Sequence, residues 1–315
     1  LFLTVFMFTV LIGTLFPLVA ELVRGVKVIV GEPFFNRMTL PLMVALLFLL
    51  GVGPALPWKR APGPELKAKL LPGIILGLLG AAAGLLAGAR SPYAILAFSF
   101  VGFSGAVNIG EFVSGANARV RAHGEAWLVA LSRLVSGNRR RYGGYTAHLG
   151  IVLVALGVTT SGTFKTEREA TLKPGESIVL AGHTVRLKEV WGREEKQRQV
   201  IGATMEVMDG DRVIGTVEPR MNYYPTSQQP VPTPQVRSAL TGDLYLNLMA
   251  FRQDGSNATV KVIWEPLVSF IWFGGFVICI GSIVGILPAR KRSAVAASAR
   301  AGAHEAAAAP PEPRP

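Results

Sequence analysis

Six runs of about twenty predominantly apolar residues organise the sequence, at 1–20, 39–56, 70–89, 92–113, 145–162 and 266–287. A helix rising about 1.5 Å per residue needs that length to cross a hydrocarbon layer about 30 Å thick. Only Arg90 and Ser91 separate the third run from the fourth, and Pro92 opens the fourth at the first helical position, so these two predict a tight helical hairpin. Between runs four and five, Trp127, Leu128, Leu131, Leu134 and Val135 fall on one helical face. The segment at about 118–136 therefore predicts an amphipathic helix, either lying in the membrane surface or packed on the protein's own spans.

After residue 162 the period changes to two. Leu244, Leu246 and Leu248 alternate with Tyr245, Asn247 and Met249, and Val260, Val262 and Trp264 do the same across a turn near 253–257. Asp209-Gly210-Asp211 sits between 204–208 and 212–218 as a hairpin signal, and Gly182 separates strands expected at 177–180 and 184–191. Five or six antiparallel strands would make a small barrel or sandwich. Residues 225–234 read as a proline-rich loop that no central strand could accommodate. The expectation is an α-helical integral membrane protein with about six transmembrane helices and one inserted antiparallel β domain. Its parts are a membrane domain at 1–162, a β-rich domain at 163–264, a last transmembrane helix at 265–288 and a disordered tail at 289–315.

Charge orients this arrangement. Only 17% of residues are charged, against about a quarter in soluble domains, yet the net charge is +12. Lys59, Arg60, Lys67 and Lys69 follow span two; Arg119, Arg121, Arg133, Arg139, Arg140 and Arg141 follow span four; Arg290, Lys291 and Arg292 follow span six. All three clusters fall on one face, the cytoplasmic one by the positive-inside bias, which puts the β domain on the other side and the C-terminus inside. No basic stripe interleaved with aromatics is present, so the charge implies no nucleic acid. The single cysteine, Cys279, excludes a disulfide, a CxxC redox pair or a Cys-ligated zinc site within this chain. The chain opens on Leu1 inside an apolar run, with no basic leader segment, as a piece of a longer protein would.

Candidate chemistry centres on one residue. His304 falls in the tail, His123 beside the arginines, and His183 at a hairpin turn. His148 lies about 5 Å inside the fifth span, counted from Tyr145. Ionisable groups at membrane depth face protein, water or a ligand. Ala147, Gly150, Val154, Gly157 and Ser161 form a small-residue seam beside it, suited to close helix packing, with Val152, Ala155 and Thr159 in line with His148 itself. A neutral imidazole there can ligate iron through one nitrogen; a packed interfacial histidine satisfied by carbonyls or water is the alternative on spacing alone. Asn108 and Glu111, near the end of span four, could bond a neighbour or line a cavity, and Glu111 could reach the surface.

Residues 138–157, which run from Asn138 through Arg139-Arg140-Arg141-Tyr142 to His148 and Gly157, resemble the C-terminal signature of the CcmF family. These are membrane haem-lyase subunits of bacterial cytochrome c maturation. Gly13-Thr14-Leu15-Phe16-Pro17-Leu18, Val30-Gly31-Glu32-Pro33-Phe34-Phe35-Asn36, Gly51-Val52-Gly53-Pro54 and Pro266-Leu267-Val268 with Ile271-Trp272 fit the same pattern in order. The resemblance implies a multi-pass protein of the bacterial inner membrane with a periplasmic β domain. It also implies a membrane-embedded haem b, with His148 matching the more C-terminal axial ligand of the haem iron. The implied partners, besides the lipid bilayer, are a periplasmic haem chaperone and apocytochrome c with its presenting subunits. The family's tryptophan-rich segment, first membrane ligand and two external histidines would all precede Leu1. Trp58, Trp127, Trp191, Trp264 and Trp272 do not replace that segment, so ligation by this stretch alone is not expected. A non-redox membrane scaffold or permease with an external β domain is the rival expectation, distinguished by the lack of a Soret band.

Overall fold

The computed structural model describes residues 1–56, 63–210, 212–225 and 229–287. The expected tail at 289–315, the basic residues Lys59, Arg60, Arg290, Lys291 and Arg292, and His304 lie outside the described residues. Six helices among those described are long and apolar enough to cross a membrane. They are α1 (Phe2–Arg24), α2 (Glu32–Ala55), α3 (Gly63–Leu86), α4 (Pro92–His123), α6 (Arg139–Phe164) and α7 (Ser269–Ile286), with the shorter α5 (Trp127–Gly137) between α4 and α6.

Several helices run past the apolar windows. α4 continues nearly three turns beyond residue 113 to His123, where Gly124 takes a left-handed φ of 64° and ends it. α6 starts at Arg139, six residues before the apolar run. Asn138 caps it, its side chain accepting from the Arg141 N–H at 3.4 Å. Polar ends of this kind extend a span into the headgroup region, where hydropathy no longer marks them. The α3–α4 hairpin packs backbone to backbone: a Cβ on Gly80 would strike the Phe98 carbonyl, and one on Gly102 the Leu76 carbonyl. α5 folds back on α4 through buried Ala130 and through Leu134, which occupies the space beside Gly115. Trp127 Nε1–H donates to Asn117 Oδ1 at 3.1 Å, while Leu128 points away, 73% exposed. Of the two expectations for this segment, the contacts show the packing on the protein's own spans.

Among the described residues, ten antiparallel strands follow α6, not five or six. One sheet has the order β1 (Thr166–Leu172), β10 (Ala258–Pro266), β9 (Gly242–Phe251), β8 (Gln235–Ala239). The other has the order β2 (Ser177–Leu180), β3 (His183–Glu195), β4 (Arg198–Asp209), β6 (Arg220–Tyr223), β7 (Val231–Thr233), with β5 (Arg212–Val217) also paired to β4. The expected hairpins stand: Ser177 pairs with Arg186, Asp209 with Arg212, and Val262 with Leu246. The proline-rich loop needs correction, since residues 231–233 form a strand. It is a sheet edge, where Pro232 opposes Met221 and its missing N–H breaks no central ladder. The inward faces meet in one core in which Val185, Leu187, Met205 and Val207 pack opposite Leu246, Leu248, Val260 and Val262. Burying each such side chain stabilises the domain by about 1.5–3 kcal/mol.

Both connections to the membrane part lie side by side. Thr166 pairs with Trp264, Lys165 and Glu265 form an ion pair at 3.5 Å, and Leu267 N–H donates to the Thr241 carbonyl at 3.0 Å.

Candidate functional site in the membrane helices

Three faces of α6 are committed differently. On the first, glycines let α7 approach to backbone contact. A Cβ on Gly150 would lie 2.7 Å from the Gly274 carbonyl oxygen, and one on Gly157 would lie 3.1 Å from that of Leu267. Gly143 and Ala147 meet Gly281 in the same way. The seam expected from Ala147, Gly150, Val154 and Gly157 is therefore the α7 contact. The second face turns to α4, where Tyr142 and Val152 are buried, the Tyr142 ring lies 5.2 Å from that of Phe112, and Val152 fills the space beside Gly105.

His148 belongs to the remaining stripe, with Tyr145 one turn and Arg141 two turns before it on the same face. The imidazole is half-buried, 6.4 Å from the Tyr145 ring at an interplanar angle of 53°. Its Nδ1 is buried and finds no hydrogen-bond partner among the described residues. A buried ring nitrogen without a partner carries a desolvation cost that a metal or a hydrogen-bonding ligand would remove.

The stripe is anchored by a charge cluster. Glu111 of α4, only 8% exposed at its side chain, accepts from Lys69 of α3 at 2.9 Å and from Arg141 of α6. Arg141 Nε–H donates to the Tyr145 hydroxyl at 3.0 Å, and its guanidinium lies 5.4 Å from that ring's centroid. Deeper in α4, Ser104 Oγ–H donates to the Leu47 carbonyl at 2.6 Å, and Asn108 Nδ2–H to those of Leu50 and Ser104 at 3.2 and 2.9 Å. The bonds to Leu47 and Leu50 tie α4 to α2. Asn108 and Glu111 thus bond neighbours, as their position allowed. Sequence reasoning missed that Lys69 and Arg141 meet Glu111, having read both cations only as topology signals.

The other histidines stand apart. His123 ends α4, and His183 opens β3 with its ring 5.1 Å from Trp264 in a T-shaped arrangement. No group of three or more His, Cys, Asp and Glu side chains that could hold a metal occurs among the described residues.

These elements define a class: a polytopic helical membrane protein carrying a two-sheet β domain between its last two spans. The family model described as CcmF C-terminal beta-sandwich matches residues 163–266. The chain is 31% identical over 292 residues to the cytochrome c-type biogenesis protein ccl1 of Rhodobacter capsulatus, covering 90% of this chain and 42% of that protein. It is 28% identical over 296 residues to the cytochrome c-type biogenesis protein CcmF of Escherichia coli, covering 92% of this chain and 42% of that protein. A solved structure titled cytochrome c heme lyase CcmF superposes with a TM-score of 0.66 at 27% identity, over 91% of this chain and 44% of that one. The chain is similar to the C-terminal part of these CcmF proteins and spans about two fifths of their length.

Proposed function

We propose that the chain is the C-terminal part of a membrane haem-lyase subunit, in which His148 is an axial ligand of a haem b and the whole takes part in covalent attachment of haem to apocytochrome c. The observation that carries the ligand reading is the buried, unpartnered Nδ1 of an imidazole inside a membrane helix. Iron already held by four porphyrin nitrogens asks little more of a protein than such an axial group, which suits a histidine outside any multi-ligand cage. The names of the relatives support the cytochrome c biogenesis role.

Each neighbour has a part. The glycine contacts with α7 fix how far α6 is rotated, and so where the imidazole points. Tyr145 walls one side of the ring, while Lys69, Glu111 and Arg141 fix the depth of α6 against α3 and α4. When bound, the haem supplies a redox-active iron. By the positive-inside bias, the basic residues around α5 lie in the cytoplasm of a bacterial inner membrane, and the sandwich stands in the periplasm. There it would meet a haem chaperone and apocytochrome c with its presenting subunits.

The test is the reduced-minus-oxidised absorption spectrum of the full-length protein beside its His148→Ala variant. A b-type spectrum that is lost or shifted, and restored by added imidazole, is the expected result. Identical spectra in both proteins would overturn the assignment.

A further inference from the structure

The joint between the sandwich and α7 is fixed at two points. Ser269 Oγ–H, at the start of α7, donates to the Leu240 carbonyl at 2.8 Å, and Leu267 N–H donates to that of Thr241. Leu267 itself sits at a φ of 55°, which side chains rarely adopt, so the surrounding contacts impose the angle between β10 and α7. The turn from β8 into β9 is thereby latched against the helix, and a groove of about 580 Å³ opens beside it. That volume falls within the ordinary range of binding pockets, about 300–1,000 Å³.

The groove changes character along its length. Its sandwich end holds Ser238, Asp243 and Ser269. Trp272, Phe273 and Phe276 follow Ser269 at i+3, i+4 and i+7, one face of α7, and carry the wall about 10 Å along a helix able to cross a membrane. All three aromatic side chains are exposed. A tryptophan at headgroup level is ordinary interfacial anchoring, but a buried acid behind it is not.

Asp243 is only 6% exposed, and among the described residues its carboxylate makes no hydrogen bond or ion pair. The strand register shows its direction. Asp243 pairs with Ser238 on one side and Glu265 on the other, so these three share the outer face of the sheet, while Leu244 fills the core. Glu265 is taken by Lys165. Arg237 turns to the inner side, where a Cβ on Gly215 would lie 2.6 Å from its Nη1. Neither cation serves Asp243, which is left beside a second carboxylate. A charge buried in this way costs free energy until a cation that can donate hydrogen bonds meets it.

We propose that this groove binds a phospholipid whose headgroup ends in a primary ammonium. The ammonium donates to the Asp243 carboxylate and the Ser238 hydroxyl beside the Trp272 ring, and an acyl chain lies along Phe273 and Phe276. A quaternary ammonium would bring the charge without N–H donors, and an anionic head would meet two carboxylates. A water-soluble partner would reach the polar end and leave the aromatic wall uncovered. The site stands apart from the haem assignment and does not depend on it.

Native mass spectrometry of the purified, delipidated full-length protein in detergent tests this, by titration with dioleoyl phosphatidylethanolamine. Matched lipids carry glycerol, choline or N-acetylethanolamine heads on the same chains. The ethanolamine lipid should bind about tenfold more tightly than each of them. Asp243→Asn, of the same size without the charge, should abolish that preference. Phe276→Ala, on the exposed face of α7, should weaken binding of the ethanolamine lipid several-fold. Equal affinity for all four heads would overturn the proposal, as would a preference kept in Asp243→Asn or an affinity unchanged in Phe276→Ala. Tighter binding of a lysine-bearing apolar peptide than of the lipid would assign the groove to a partner's side chain and overturn the lipid reading.

Discussion

In the sandwich the large side chains are the buried ones: Leu187, Met205, Leu246 and Val262 have no exposed surface. Along α7 the order is reversed. Trp272, Phe273 and Phe276 point outward, 77%, 55% and 66% exposed, while Gly274 and Gly281 make the contact with α6. The difference follows from the solvent each part is built for. Water drives large apolar groups together, whereas lipid tails are as apolar as leucine and leave close packing and polar contacts to hold helices to one another. The polar links are placed accordingly. Ser104, Asn108 and Glu111 bridge α4 to its neighbours, and the core between the sheets is made of aliphatic side chains and methionines.

Substitutions can break this contrast. Leu246→Ala should cost the sandwich about 2–5 kcal/mol by opening a cavity. Phe276→Ala, a larger truncation on the outward face of α7, should shift the unfolding temperature much less; thermal unfolding in detergent compares the two. Gly150→Leu has the opposite sense, adding bulk where the Gly274 backbone lies, and should destabilise the α6–α7 pair by about 1–3 kcal/mol. An equally large effect of Phe276→Ala, or none of Gly150→Leu, would show that the membrane part packs like a soluble core. Glu111→Gln leaves Lys69 and Arg141 without their counter-charge. Both cations are nearly half exposed, so the loss should be about 1 kcal/mol or less, read from the same melts.

The smallest effect sharpens the comparison at the polar end of the membrane part. Burial pushes the Glu125 carboxyl up, but the hydrogen bond and charge of Arg119, with the charges of Arg133 and His123, hold it below the usual carboxylate value. A carboxyl depressed in the folded state adds stability above its ordinary value and loses it as pH falls through its folded one. The melting difference between the wild type and Glu125→Gln should therefore hold at neutral pH and vanish in the acid range below about pH 4. A difference that grew on acidification would contradict the sign.

How much of this the sequence discloses depends on the range of each interaction. The α6 seam is legible because small residues at three- and four-residue steps have few uses other than helix contact. β9 and β10 are legible because one face is uniformly Leu and Val. β1, with the sequence Thr-Glu-Arg-Glu-Ala-Thr-Leu, shows little apolar alternation because it is an edge strand whose outward residues are solvated. The meeting of Glu111 with partners 42 and 30 residues away has no local trace. The buried Nδ1 of His148 is likewise a property of the surroundings, and spacing alone leaves it undecided between ligand and packed histidine.

The paired legs of the β domain have a mechanical consequence. A domain hung on one linker can swivel; this one leaves the membrane on α6 and returns on α7, two helices in backbone contact whose continuations pair as β1 and β10. Torsion at either helix is resisted by the other, and the Lys165–Glu265 bridge clamps the joint. His148 lies sixteen residues below Phe164 on one of those legs, about 24 Å along the axis. The imidazole and the sandwich are thus held at fixed height and bearing, so a turn of α6 that moved one would steer the other.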